Sequence, residues 1–186
     1  TSNTLTKYTY GTFIAQTDDN RDQDIFWGII GAYQTSTTTG DDILGDTYTT
    51  TSEVANWEFL NGRAIAKVIE ATTTGDDIFG NEYTTHSTTT NHYGWIEANG
   101  KRAYVTIGQD VESISYGISI FGNEYTTTSY TTVRYGKIQL NNKIYWNVLG
   151  SVASGITTGD DLFGNTYTTT FVTTTEYAQI QFNGEA

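Results

Sequence analysis

The chain has 186 residues, which favours a single domain, and a formal net charge of −12. A charge of this sign makes nucleic acid and anionic membrane surfaces unfavourable partners. Cysteine, methionine and proline are absent, so disulfides and thiolate chemistry are excluded. No stretch is long and apolar enough to predict a membrane-spanning helix, and we expect no transmembrane insertion.

The remaining composition is typical of β-structure. Threonine runs, 19 glycines and 14 tyrosines dominate the chain. Such β-branched and aromatic residues suit a pleated sheet, whereas strong helix formers are sparse. The sequence begins at Thr1, which fits a processed mature form or a fragment. We expect an all-β protein that is extracellular or located at the cell surface.

The first elements along the chain are predicted to form a degenerate hairpin over residues 4–39. Strand 1 is expected at about 4–17, the polar segment DDNRDQ then turns the chain, and strand 2 begins at Ile25. The long runs between the later turn signals contain no breaker, so each of them is predicted to form one long strand.

Four related segments follow the first hairpin and define an internal repeat. They are GDDILGDTYTT from Gly40, GDDIFGNEYTT from Gly75, GISIFGNEYTT from Gly117 and GDDLFGNTYTT from Gly159. A second marker alternates with them, as Asn61-Gly62, Asn99-Gly100, Asn141-Asn142 and Asn183-Gly184. The two interleaved series indicate one β-repeat domain over 1–186, with repeats beginning near 40, 75, 117 and 159.

Both markers predict chain reversals. Asn-Gly favours a type I′ hairpin turn, because both central residues of that turn have positive φ. GDDxxG predicts a longer turn whose Asp side chains bond nearby backbone N–H groups. The expected fold is an up-and-down antiparallel meander of about nine long strands, either closed like a barrel or open and continued between subunits. A propeller blade of four short strands would need further turns, for which the sequence gives no signal.

The hydrophobic residues predict a core in the halves of the strands near Asn-Gly. Its expected members are Trp57, Phe59, Val68, Trp95, Tyr104, Ile138, Trp146, Val148 and Ile180. The halves near GDDxxG are threonine-rich on both faces and are expected to be held by weak cross-strand pairs of about 0.2–1 kcal/mol each. The acidic turns should make this pole of the molecule markedly negative.

The hexapeptide GDDLFG at 159–164 resembles part of the glycine- and aspartate-rich nonapeptide of haemolysin-type calcium-repeat proteins. That resemblance implies calcium sites in the acidic turns, because carboxylates and loop carbonyls are hard oxygen ligands. The candidate metal-ligating residues are Asp41, Asp42, Asp46, Asp76, Asp77, Glu82, Asp160 and Asp161.

Two observations favour a purely structural turn. The copy at Gly117 has Ile118 and Ser119 in place of the two acids and still keeps the following FGNEYTT. Neighbouring acidic turns are also expected on the order of 10 Å apart, which would strain any ion shared between them. We therefore predict that no cofactor is required, with calcium as the open alternative.

The sequence offers no catalytic constellation. His86 and His92 lie in one predicted strand roughly 20 Å apart, too far to share a metal or a proton relay. Walker, G-x-S-x-G and H-E-x-x-H motifs are absent from the sequence. Trp57, Trp95 and Trp146 recur with the repeat and are interpreted as core rather than as a sugar-stacking surface. We do not expect an enzyme.

The edges of the predicted sheet point to self-association. Long edge strands without proline and with few charges are templates for pairing with another chain. The leading hypothesis is an extracellular, non-enzymatic structural protein that assembles by β-strand pairing into a filament, sheath or matrix, as a homo-oligomer or polymer. The alternative is a calcium-dependent adhesin or lectin-like module that binds glycans or a surface.

Overall fold

The computed structural model describes residues 1–14, 25–41, 45–140 and 143–177, apart from the side chain of residue 140. Nine β-strands account for almost all of them. They are β1 (Ser2–Ile14), β2 (Ile25–Asp41), β3 (Thr47–Leu60), β4 (Arg63–Asp76), β5 (Glu82–Ala98), β6 (Lys101–Ile118), β7 (Glu124–Leu140), β8 (Lys143–Asp160) and β9 (Thr166–Glu176).

The strands form one open antiparallel sheet in which each strand pairs with its neighbours in the sequence. The predicted all-β meander is confirmed, and of its two forms the open one is observed. Each repeat supplies two long strands, as predicted, and not the four short strands of a propeller blade. β1 begins at Ser2, two residues earlier than expected, and the predicted residues 15–17 lie outside the described part of the chain.

The two turn types have the predicted backbone geometry. Asn61 and Asn99 have φ values of 49° and 53°, and each is followed by a glycine with positive φ, as a type I′ turn requires. Each described acidic turn also contains a glycine with positive φ, at Gly45, Gly80, Gly122 and Gly164. The markers at 141–142 and 183–184 lie outside the described residues.

A line of register shifts divides the sheet into two regions. Shifts occur at Thr9/Tyr10, Val54/Asn56/Trp57, His92/Tyr93 and Arg134/Tyr135. On the acidic-turn side the strands pair continuously, a region that we call the plate. It comprises 2–9, 31–41, 47–54, 68–76, 82–92, 108–118, 124–134, 150–160 and 166–176.

On the other side of this line the strands pair only in twos, and we call these pairs the arms. Arm 1 joins 10–14 to 25–29, arm 2 joins 57–60 to 63–66, arm 3 joins 93–98 to 101–106 and arm 4 joins 135–140 to 143–148. Pairs linked by an acidic turn stop pairing at the edge of the plate or a few residues before it. A bulge twists a strand and disrupts its ladder, which explains the separation.

The predicted core is wrong in extent. Among the described residues, Leu60 is the one buried hydrophobic side chain, and it lies in arm 2. Trp57, Val68, Tyr104, Ile138, Trp146 and Val148 are partly buried or exposed, Phe59 and Trp95 are exposed, and Ile180 lies outside the described residues. A sheet of a single layer has no second element on which to bury a face, so hydrophobic residues alone do not create a core.

The plate has two chemically different faces, because side chains alternate along each strand. One face, which we call the hydroxyl face, carries Thr50, Thr73 and Thr85 and has no charged residue within the described plate. The opposite carboxylate face carries all of the plate's charges. These are Lys7, Asp41, Glu53, Glu70, Asp76, Glu82, Asp110, Glu112, Glu124, Arg134, Asp160 and Glu176.

Candidate functional site

In the turn that begins at Gly75, the second aspartate, Asp77, holds the turn together. The Oδ1 atom of Asp77 accepts hydrogen bonds from the backbone N–H groups of Phe79 and Asn81, at 2.9 and 3.0 Å. Its Oδ2 atom accepts another from the Asn81 side chain, at 2.6 Å. These bonds favour the charged carboxylate and hold the pKa of Asp77 below its ordinary value, with the Asn81 side chain as the largest cause.

The same geometry recurs in the other two repeats whose turns are fully described. Asp161 accepts hydrogen bonds from the backbone N–H groups of Phe163 and Asn165 and from the Asn165 side chain. The bond from the Asn165 side chain is the largest cause of the lowered pKa of Asp161. In the repeat that lacks the aspartate, Ser119 accepts the two equivalent backbone hydrogen bonds through Oγ, at 3.3 and 3.2 Å. A hydroxyl thus replaces the carboxylate, which explains why this turn forms without its acids.

The remaining carboxylates of the predicted metal set are distributed between different contacts. Asp76 accepts a hydrogen bond from Thr47 at 2.5 Å, and Asp160 accepts one from the backbone of Glu124 at 3.1 Å. The first bond joins β3 to β4 and the second joins β7 to β8, and both pairs of strands are neighbours in the sheet. Asp41 ends β2 and Glu82 begins β5, both with exposed side chains, and Asp42 lies outside the described residues.

Neighbouring acidic turns contact each other through side chains. Asp46 accepts a hydrogen bond from the backbone N–H of Ile78, at 3.1 Å, and so joins two consecutive turns. Asn81 does the same for Ile120 in the next turn, at 3.0 Å. The position after the turn glycine therefore connects one repeat to the next.

Asp77 and Asp161 thus use both of their carboxylate oxygen atoms for hydrogen bonds within the protein. Among the described residues, no group of three or more His, Asp or Glu side chains lies close enough together to hold a metal ion. Calcium binding at these turns stays a prediction, and any ion would compete with the hydrogen bonds of Asp77 and Asp161.

A row of hydroxyl residues crosses all nine strands of the plate. In sheet order it consists of Ser2, Thr38, Thr50, Thr73, Thr85, Ser115, Thr127, Thr157 and Thr169. Four pairs in this row share side-chain hydrogen bonds of 2.8–3.0 Å. The predicted threonine pairs are therefore present, and on the hydroxyl face they form one continuous row.

Next to this row, tyrosine rings lie over glycines of the neighbouring strand. The pairs are Tyr48 with Gly40, Tyr83 with Gly75, Tyr125 with Gly117 and Tyr167 with Gly159. A methyl group at any of these glycines would collide with the ring. The first glycine of GDDxxG is thus needed for side-chain packing, in addition to its place at the start of the turn.

The carboxylate face contains a shallow groove of about 440 Å³. Its lining includes Glu70, His86, Glu112 and Tyr130, and Glu70 also pairs directly with Glu53. Like charges in direct cross-strand positions repel each other. The two histidines contact different residues, as expected for side chains that do not share a site. His86 Nδ1 lies 3.0 Å from the Thr72 hydroxyl.

The Nε2 atom of His92 lies 2.8 Å from Oδ2 of Asp110. This hydrogen bond is the largest cause of the lowered pKa of the Asp110 carboxyl. The Thr132 hydroxyl donates a second hydrogen bond to Asp110, at 2.8 Å. The arrangement orients both side chains on the carboxylate face.

Side chains and turn backbone bridge the arms where strand pairing has ended. Trp146 of arm 4 donates its indole N–H to the carbonyl of Thr106 in arm 3, at 2.7 Å. Asn99 of arm 3 bonds both backbone groups of Ile144 in arm 4, at 2.8 and 2.9 Å. Trp146 therefore packs between arms, whereas Trp95 is 44% exposed.

Arms 2 and 3 are joined by a phenol–carboxylate bond. Tyr104 donates its hydroxyl hydrogen to Glu58. Burial of the ring, together with this bond and the negative charge of Glu58, raises the pKa of Tyr104 to about 12. The neutral phenol is thus the form that fits this contact.

The outer edges of β1 and β9 have no partner strand within the described residues. All eleven residues of β9 are exposed. The edge strands also carry exposed hydrophobic residues on the carboxylate face, with Leu5 50% and Val172 74% exposed. The equivalent row between them is mostly polar and includes Glu53, Glu70 and Glu112.

Some surface features were missed from the sequence. Each of the three fully described turns of this type exposes a phenylalanine, with Phe79 69%, Phe121 68% and Phe163 88% exposed. The dipeptide Tyr-Gly occurs at the line where the arms leave the plate, at 10–11, 93–94 and 135–136, and once more within the plate at 116–117. Both signals were visible in the repeats, but their meaning depends on which strand lies opposite.

Comparison with protein-family models gives no match, and no curated protein or solved structure is significantly similar to the chain. The part of the chain that the structure describes contains no helix of the length and hydropathy needed to span a membrane.

Proposed function

We propose that the protein is a non-enzymatic structural protein that assembles with copies of itself by β-strand pairing into a filament, sheath or matrix. One observation carries the proposal. The chain exposes 13053 Å² of surface, whereas a compact monomer of 20.6 kDa exposes about 8,900 Å². The excess is of the order that permanent protein complexes bury.

The location of the exposed groups supports strand pairing as the way this surface is covered. The edge strands β1 and β9 present backbone N–H and C=O groups with no partner strand among the described residues. Natural proteins usually protect such edges with charges, proline or bulges. Here β9 contains one charged residue, Glu176, at its last position.

The first test is the assembly state of the purified chain. We expect electron micrographs to show filaments or sheets, and light scattering to rise with protein concentration. Particles that stay monomeric at high concentration, over a range of pH and calcium, would contradict the proposal.

A pair of valine variants tests whether the edge is responsible. Val172→Lys places a charge on the exposed edge strand β9, and we expect it to abolish assembly. Val152→Lys is the matched control, because Val152 lies on the same face and is 38% exposed but belongs to the interior strand β8. Equal loss of assembly in the two variants would rule out the edge as the contact.

A second candidate function is recognition of a glycan. The groove on the carboxylate face favours it, because it combines Glu70 and Glu112 with the ring of Tyr130, which is 43% exposed. Carboxylates and aromatic rings supply the hydrogen bonds and flat contacts that sugars need. Binding on a glycan array, lost in Tyr130→Ala and compared with and without a chelator, would support this function and show whether calcium takes part.

A further inference from the structure

We infer that copies of the chain join head to tail, with β9 of one copy pairing in parallel with β1 of the next and Val172 beside Leu5. This inference rests on the proposed function, since it specifies which edges meet and in which register. The partner is a second copy of this chain.

The direction follows from the meander. In an antiparallel sheet with an odd number of strands, the two edge strands run the same way, so a copy placed with the same orientation brings β9 and β1 together in parallel. A contact between two different edges is heterologous, and it produces a filament when the rotation from one copy to the next does not close into a ring.

The register follows from the rows of the plate. Leu5 and Val172 occupy the two ends of one row on the carboxylate face. Extending the rows from one copy into the next places these two exposed hydrophobic side chains side by side. The same register puts Ser2 beside Thr169 and so continues the hydroxyl row across the junction.

Charge complementarity distinguishes this junction from the symmetric alternatives. Lys7 is the one charged residue in β1 and Glu176 the one in β9. In the inferred register they lie on the same face, one strand apart and about 7 Å apart along the strand, within reach of a lysine side chain. Lys7 would there join the existing contact of Glu176 with Arg134 of its own chain, whose guanidinium lies 3.9 Å away. Pairing β1 with β1, or β9 with β9, brings only like charges to the junction.

Hydrophobic residues at these edges are departures from the repeat. Val172 occupies the position of Glu53, Thr88 and Tyr130 in the equivalent strands, and Phe171 occupies that of Ser52, Ser87 and Ser129. Phe171 is 40% exposed on the hydroxyl face. The interior strands carry mostly polar residues where their edges are covered, and β9 carries apolar ones where its edge is not.

The chain lacks cysteine, so single introduced cysteines report the junction directly. The inferred register places Asn3 of one copy beside Thr170 of the next, at a separation that a disulfide spans. We expect a mixture of Asn3→Cys and Thr170→Cys chains to give covalent heterodimers under mild oxidation. A chain with both substitutions should give a ladder of covalent multimers.

The matched control uses Thr9→Cys with Thr170→Cys. Thr9 is also exposed on the same face of β1, but in the inferred register it lies roughly 20 Å from Thr170 along the strand. We expect at least tenfold slower cross-linking in this pair. Equal rates in the two mixtures, or rapid cross-linking of Thr170→Cys with itself, would overturn the head-to-tail register.

Charge reversal provides an independent measurement by sedimentation. Lys7→Glu should weaken assembly about tenfold, and the exchange Lys7→Glu with Glu176→Lys in one chain should restore it. Assembly that persists while both tests fail would leave the proposed function standing and reject this junction. Absence of any assembly would reject the two together.

Discussion

The plate and the arms are built from the same strands, but different interactions stabilise them. In the plate, most of each interior strand pairs on both sides, and the row from Ser2 to Thr169 contains only serine and threonine. In the arms, strands pair only in twos, and large side chains such as Trp146 connect one arm to the next. Stability in the plate is therefore distributed over many weak contacts, whereas in the arms it depends on a few strong ones.

This difference has a physical cause in the bulges. A bulge leaves one residue unpaired and increases the local twist, so strands that pair closely in the plate diverge beyond it. Once the backbone ladder is lost, side chains must satisfy the exposed groups. Substitutions should accordingly be costly in the arms and mild in the plate, and the following predictions test that expectation in order of decreasing effect.

The largest effect is expected for Trp146→Ala in arm 4. The substitution removes a partly buried indole and its hydrogen bond to Thr106, and we expect a loss of about 3 kcal/mol in the free energy of unfolding. Urea denaturation would measure it. Trp27→Ala is the control, because Trp27 is 72% exposed and should change stability by less than about 0.5 kcal/mol. Equal losses would mean that Trp146 does not hold the arms together.

The next effect is expected for Gly28→Ala, where arms 1 and 2 approach through backbone atoms. A Cβ atom at Gly28 would lie 2.7 Å from the Cα atom of Gly62, and the Ile29 N–H donates to the Gly62 carbonyl at 3.1 Å. We expect a loss of about 1–3 kcal/mol from this overpacking. Gly108→Ala provides the comparison, since its nearest atom, in His92, lies at 3.5 Å. A Gly28→Ala variant as stable as Gly108→Ala would contradict the close contact.

A smaller effect is expected in the plate for Thr127→Val. The substitution removes one hydroxyl of the pair with Thr157, whose Oγ1 atom lies at 2.8 Å, while valine keeps the shape and the β-propensity. We expect a loss of about 0.2–1 kcal/mol. Thr128→Val, on the exposed opposite face, should be closer to neutral. Chemical denaturation of the two variants would measure their free energies of unfolding. A loss for Thr127→Val as large as that for Trp146→Ala would contradict the distinction between plate and arms.

The smallest effect is expected for Asp77→Ser, and it should depend on pH. The lowered pKa of Asp77 means that the carboxylate stabilises the fold above its ordinary pKa of 3.8 and that this contribution is lost as the pH falls through the lowered value. Serine accepts the same backbone bonds in the turn of Ser119. At neutral pH the melting temperature should therefore change little.

In acid, Asp77→Ser should lose less stability than the natural chain, because the serine hydroxyl does not titrate. Asp77→Ala, which lacks an acceptor, should melt lower than both near neutral pH. Melting curves at several pH values would show these differences. An Asp77→Ala turn as stable as Asp77→Ser at neutral pH would show that the hydrogen bonds of the turn are unimportant.

Much of the architecture was predictable because it depends on local patterns. The repeated Asn-Gly and GDDxxG segments specify reversals through the φ angles they allow, and the unbroken runs between them specify long strands, so the number and order of strands followed from the sequence. The role of Asp77 as a turn acceptor was also expected from Asp chemistry. The hydroxyl row was only partly foreseen, because it depends on the register between strands, and alternation within one strand does not fix that register.

The sequence by itself determined that this chain forms antiparallel strands and where they reverse, because these properties arise between residues close in the chain. The tertiary structure alone decided that the sheet stays open, that bulges separate arms from a plate and that all charges of the plate lie on one face. Those features depend on which residues of distant strands come to lie opposite each other. The same long-range pairing leaves Leu5 and Val172 at the two uncovered edges.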